Sequence, residues 1–228
     1  MLKEMITILM ELPDCIWDSY AFSREPLNGR LTDGSRRKYA RLAHQTGCTQ
    51  AKETKTAFPQ LTMEEIIRKL NIDLKIKNIQ DDGNYIMFAC YMEPNQILVY
   101  KKPIQQTIEL LHQKGCENLI SENQMQEILL AHELFHWYEY QKTNLPTSQK
   151  VLSLWKIGPL ENKSRLVSLG EIAAMAFAKE MLGLSYSPYT LDILLLLTIN
   201  LGLARELYNT ILGLAGLPKC PDEVWEEF

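Results

Sequence analysis

The stretch AHELFHWYEYQ, residues 131–141, carries two of the chain's four histidines. His132 and His136 stand four positions apart, with Glu133 directly after the first. On a helix, residues i and i+4 lie on one side, about 40° apart and about 6 Å along the axis. Two imidazoles so placed can meet on a single cation, and imidazole suits zinc, with Zn–N about 2.0–2.1 Å. Glu133 is turned about 100° away from His132, outside the coordination sphere but within reach of a water there. This is the H-E-x-x-H arrangement, two ligands and a general base for metal-assisted hydrolysis. The alternative is a helix with two partly buried, hydrogen-bonded histidines that bind nothing.

A catalytic zinc needs a third protein ligand and one open position. His44 and His112 both lie upstream, so a third histidine following the motif is excluded. A carboxylate from a later helix is expected, and the candidates are Glu161, Glu171 and Glu180. The segment SLGEIAAMAFAKEMLG favours Glu171. Ala173, Ala174, Ala176 and Ala178 let its helix come close to the first one, and Ala174, Met175 and Ala178 continue the side that carries Glu171. A carboxylate on a buried face demands a partner, which zinc would provide. Glu180 falls near the opposite face, and Glu161 sits outside the helix. SLGE could also be a capping box, which would make Glu171 an ordinary helix-terminal acid.

The surrounding pattern predicts the elements that hold these residues. MLKEMITILMELP reads as an amphipathic helix, and residues 13–60 are the least regular part, with a short helix at 36–46 closed by Gly47. Thr62 and Glu65 form a capping box that opens a helix to about Leu70. IDLKIK at 72–77 alternates as a half-exposed strand, and YIMFACY and ILVY, separated by MEPNQ, predict a hairpin over 85–100. From residue 103 the chain reads as helical: one helix from Pro103 to Gly115, one from the Ser121–Gln124 cap to about 142, one over 164–182, and one over 190–214. Strands followed by helices predict an α+β fold, a small antiparallel-containing sheet of about three strands packed on a helical bundle that carries the H-E-x-x-H helix. The organisation expected is an N-terminal segment 1–60 of unknown role, a core over 61–185, and a helical extension over 186–228, together one compact domain.

Composition narrows the setting. The chain of 228 residues has 46% hydrophobic and 23% charged residues and a net charge of −4, so no nucleic-acid surface is expected. Five cysteines without C-x-x-C spacing fit a reducing compartment, and the cytoplasm is the expected location. The longest apolar run, ILLLLTINLGLA, is shorter than the roughly 20 residues of a membrane span. A buried helix, or a homo-oligomer contact through 190–217, is expected of it instead.

H-E-x-x-H followed by Glu171, Ala174, Phe177, Ala178, Met181 and Leu182 resembles the ImmA/IrrE group of zinc metallopeptidases, a compact gluzincin-like family. The resemblance covers roughly residues 60–185. It departs at Phe135, where the family usually has glycine, at Met175, where it usually has asparagine, and in lacking the Met-Pro that often follows. It implies a zincin-like core and one zinc per chain held by His132, His136 and Glu171. It also implies hydrolysis of a peptide bond with Glu133 as general base, on a protein or peptide substrate, and a regulatory endopeptidase, since that family includes proteases that cleave repressors. A donor to the oxyanion is expected too; Tyr138, Tyr140, Arg165 and Tyr186 are the candidates. Zincin-type sites also bind extended peptides along a sheet edge, and ILVY or YIMFACY could supply it. Two other readings remain: a zinc-binding scaffold or toxin-like module without proteolysis, and a metal-free helical interaction protein.

Overall fold

The computed structural model describes residues 1–78, 87–149, 151–157, 160–226 and 228. The chain opens with α1 (Leu2–Glu11) and α2 (Asp14–Ser23), then a short 3₁₀ turn and the long α3 (Asp33–Ala57). Next come α4 (Met63–Lys69), β1 (Asp73–Lys77), β2 (Ala89–Met92) and β3 (Gln96–Tyr100). The remainder is α5 (Lys101–Gln113), α6 (Glu122–Gln141), α7 (Pro146–Gln149), β4 (Val151–Ile157), β5 (Leu160–Arg165), α8 (Val167–Leu182), α9 (Thr190–Ile199), α10 (Leu201–Leu214) and α11 (Asp222–Trp225). This is a mainly helical α+β arrangement with a small mixed sheet.

Several elements form as their residues dictate. Thr62 accepts from the Glu65 N–H while the Glu65 carboxylate accepts from the Thr62 N–H, the reciprocal capping box that opens α4. Ser121 caps α6 through the Gln124 N–H. The hairpin β2–β3 is antiparallel, whereas β1 joins β3 in parallel, giving the order β1-β3-β2. Residues 85–86 of the expected hairpin lie outside the described residues.

Other expectations need correction. Residues 13–60 are largely helical, and Gly47 does not close a helix but lies inside α3. A Cβ there would fall on the Ala173 carbonyl oxygen and within 2.8 Å of the Phe177 nitrogen, so the glycine is where α3 and α8 touch backbone to backbone. The chain is not wholly helical after residue 103: an antiparallel pair, β4–β5, separates α7 from α8. The expected helix over 190–214 is broken at Asn200, whose side chain accepts from the Leu203 N–H and starts α10 anew. ILVY is β3, the central strand, so it offers no sheet edge.

The core gathers α8 between α3 and α6, with Phe135 tilted and Tyr138 edge-on against Phe177 at the join of α6 and α8. The apolar run of α9 is buried within the chain itself, against α5 and α10. Among the described residues no helix is long and apolar enough to cross a membrane.

Candidate metal centre

His132 and His136 project from the middle of α6, and Glu171 comes from the second turn of α8. The two Nε2 atoms are 3.0 Å apart. The Glu171 carboxylate sits 3.4 Å from His132 Nε2 through Oε2 and 3.5 Å from His136 Nε2 through Oε1. Three donors held about 2.05 Å from a tetrahedral ion would be about 3.3 Å from one another. The observed separations therefore approximate one face of such a tetrahedron, and the donor set of two imidazoles and a carboxylate fits zinc.

The local sequence explains why Glu171 can be there. Its helix starts at Leu166 and Val167, so SLGE is not a capping box. The first turn is satisfied from another element: the buried Glu25, just past α2, accepts from the Ser168 N–H at 2.9 Å and the Leu27 N–H at 3.1 Å. Glu171 is thereby free to face α6. Its side chain keeps 42% of its accessibility, more than the apolar face implied, so the donor cluster is open to solvent on that side. Burial works to raise the Glu171 carboxyl, but the hydrogen bond and charge of His132 and the charges of His136 and Arg24 hold it at about 2.

The far side of His136 is built as well. Its Nδ1 lies 3.6 Å from Glu139 Oε2, and Glu139 Oε1 accepts from Thr147 at 2.7 Å. Such a carboxylate fixes the tautomer of a ligating imidazole. Burial opposes protonation of His136, yet Glu139, Glu171 and Glu133 together raise it to about 9. Glu139 itself is held below its ordinary range, burial being outweighed by His136 and Thr147. In the sequence this residue is marked only as an acid three positions after the second histidine. His132 Nδ1 is buried with no hydrogen-bond partner among the described residues.

Glu133 is buried, at 7% exposure, and its Oε2 accepts from the Tyr91 N–H of β2 at 2.6 Å. The Tyr100 N–H donates to the Phe88 carbonyl, so Phe88, Cys90 and Met92 point their backbone groups toward β3. Ala89 and Tyr91 then point theirs outward, on the side of α6. Asn95, in the hairpin turn, fixes this placement: its side chain accepts from the Trp137 indole at 2.8 Å and donates to the Asn71 carbonyl at 2.7 Å.

The four candidates for an oxyanion donor are scattered. Tyr138 is a core residue, its hydroxyl accepting from Thr54. Tyr140 is exposed beside Tyr91, with ring centroids 6.0 Å apart. Arg165 is exposed at the end of β5. The Tyr186 hydroxyl is buried without a hydrogen-bond partner, and burial pushes it up to about 12. None of the four side chains makes a hydrogen bond or ion pair with the donor cluster among the described residues. Of the other carboxylates weighed, Glu161 falls in β5, and Glu180 presents its backbone carbonyl to Lys55 at the far end of α8.

Comparison with protein-family models, with curated proteins and with solved structures yields no match for this chain. The functional reading therefore rests on the residues and their geometry.

Proposed function

We propose that the protein is a zinc-dependent peptidase, with one zinc per chain held by His132, His136 and Glu171, and with a protein or peptide as substrate. The observation that carries this reading is the spacing of the three donors, 3.0, 3.4 and 3.5 Å, which approximates the edges of a tetrahedral site. Bound there, zinc supplies Lewis acidity, acidifying water and polarising a carbonyl. Glu133, anchored through Oε2 by the Tyr91 N–H, keeps Oε1 for the proton of the attacking water and passes that proton to the leaving amine. The outward groups of β2 that Glu133 leaves unused, those of Ala89 and the Tyr91 carbonyl, pair with an extended peptide and set its scissile bond beside Glu133. A regulatory endopeptidase fits such a site, as the resemblance to the ImmA/IrrE group also suggests.

One observation favours a second reading, a zinc-binding scaffold without proteolysis: the bond from Tyr91 gives Glu133 a structural task of its own. Glu133→Gln separates the two, because the amide oxygen can still accept from Tyr91 while the base is lost. Purified protein is expected to carry one equivalent of zinc, lost in His132→Ala and Glu171→Ala and retained in Glu133→Gln. Cleavage of a mixed peptide library, followed by mass spectrometry, is expected to fall by about 10²–10⁴-fold in Glu133→Gln. Zinc bound with no cleavage by the unaltered protein supports the scaffold, and an absence of bound metal supports a helical interaction protein.

A further inference from the structure

The N-terminal helices put a charged cluster beside the first turn of α8, one turn before Glu171, and it has no task in the hydrolysis proposed above. Arg24, at the end of α2, is 64% exposed in its side chain. Its Nη1 donates to the Tyr20 hydroxyl at 2.6 Å and lies 3.4 Å from Asp192 Oδ2 of α9. The Tyr20 hydroxyl in turn donates to the same Asp192 oxygen at 2.9 Å. Tyr20 is fully buried, wedged edge-on against Trp17 and Tyr189 at centroid distances of 6.1 and 5.4 Å. One side of the guanidinium is thus fixed by a rigid support, while most of the group faces solvent.

Its position relative to the donors is also fixed. Glu25, the next residue, is bonded to the first turn of α8, one turn before Glu171. The Arg24–Tyr20–Asp192 cluster therefore stands beside the turn of α8 that leads to Glu171. Asp192 balances the arginine without covering it. An oriented, partly solvated guanidinium of this kind is suited to an anionic oxygen, since its planar fork can offer two parallel N–H groups.

We propose that Arg24 is a catalytic residue of the hydrolysis proposed above, its guanidinium receiving the negative charge that develops on the carbonyl oxygen of the substrate, with Tyr20 and Asp192 as positioning residues. The inference rests on that reading of the site. It assigns the oxyanion donor to α2, an element outside the stretch that carries the H-E-x-x-H resemblance, and so gives the N-terminal segment a part in the chemistry.

The test uses the full chain loaded with cobalt(II), whose visible spectrum reports what binds at the metal, and inorganic phosphate as a tetrahedral anionic probe. Imidazole, a neutral metal ligand, is the control. Arg24→Gln is expected to weaken phosphate at least tenfold while leaving cobalt content and the imidazole affinity unchanged. Arg24→Lys is expected to fall between the two, because it keeps the charge and loses the fork. Tyr20→Phe is expected to weaken phosphate severalfold with the arginine still present. Lys179→Gln, which removes a positive charge from the same helix as Glu171, is expected to change neither probe. Phosphate bound equally by Arg24→Gln and the unaltered protein overturns the inference, as does a cobalt-loaded protein with no phosphate response, or equal weakening by Lys179→Gln. Failure of the unaltered chain to bind cobalt or zinc is a different result: it removes the metal reading itself and this inference with it.

Discussion

At the residue scale, the candidate site is built with groups beyond its three donors. Glu139 holds the His136 ring from behind, and Gly170 makes room for it: a Cβ at 170 would come within 2.8 Å of Glu139 Oε2. Glu139→Gln is expected to reduce zinc affinity by about 10–100-fold, measured by competition with a chelator, with little change in fold. Gly170→Ala is expected to act in the same direction, by displacing the end of a flexible side chain. His44 supplies a pH test away from the site. Its Nε2 is 2.8 Å from Asp18 Oδ1, and although burial opposes protonation, that hydrogen bond and the charges of Asp18 and Asp14 raise it above 6.5. A folded-state value above the unfolded one means the pair stabilises fully below about pH 6.5 and loses its contribution as pH rises through the folded value. His44→Gln should therefore cost up to about 1 kcal/mol at low pH and progressively less above it, as urea unfolding at several pH values would reveal.

At the scale of elements, the join between α3 and α8 decides how near α8 can come to its neighbours. Gly47 sits in the middle of a 25-residue helix, where propensity alone would reward alanine by about 1 kcal/mol. Packing opposes this, because the added Cβ would meet backbone atoms of Ala173 and Phe177, which cannot swing aside. Gly47→Ala is expected to destabilise the protein by about 1–3 kcal/mol, read from the denaturation midpoint. The same residue shows why the sequence pattern misled: a glycine in a polar helical stretch looks like a terminus, and only the partner helix reveals that it is a contact. Asn200 gives the reverse case, a cap inside an apolar run that reads as continuous until its side chain is seen to accept from Leu203. The pair β4–β5 was missed because VLSLWKI is as compatible with a buried helix as with a strand when periodicity is read alone.

At the scale of the whole molecule, a metal at this site would tie α6 to α8, two elements that contribute much of the core. Zinc at about a thousand times its dissociation constant should add about 4 kcal/mol to the folded state. For a chain of this length that corresponds to a rise of roughly 10 °C in the unfolding midpoint, and Glu171→Ala should abolish it. The N-terminal helices belong to the same body. Trp17, Tyr20 and Phe22 are buried in the common core, and Lys179 reaches Asp14 at 2.8 Å. A chain lacking α1 and α2 is expected to lose cooperative unfolding, as judged by calorimetry, and not merely a surface appendage.

The sequence by itself determined α6 with its two histidines one turn apart and the adjacent acid, the α4 capping box and the β2–β3 hairpin, because each is specified by residues within a few positions of one another. Glu171 was legible too, although by argument from small neighbours and not from local spacing. Only the tertiary structure decided that Tyr91 would hold Glu133, that Glu139 would back His136, and that Glu25 would accept from the start of α8. Those contacts join residues whose side chains carry no periodic or capping signal for one another. They exist because the burial of α2, α6 and α8 in one core brings them within hydrogen-bonding distance.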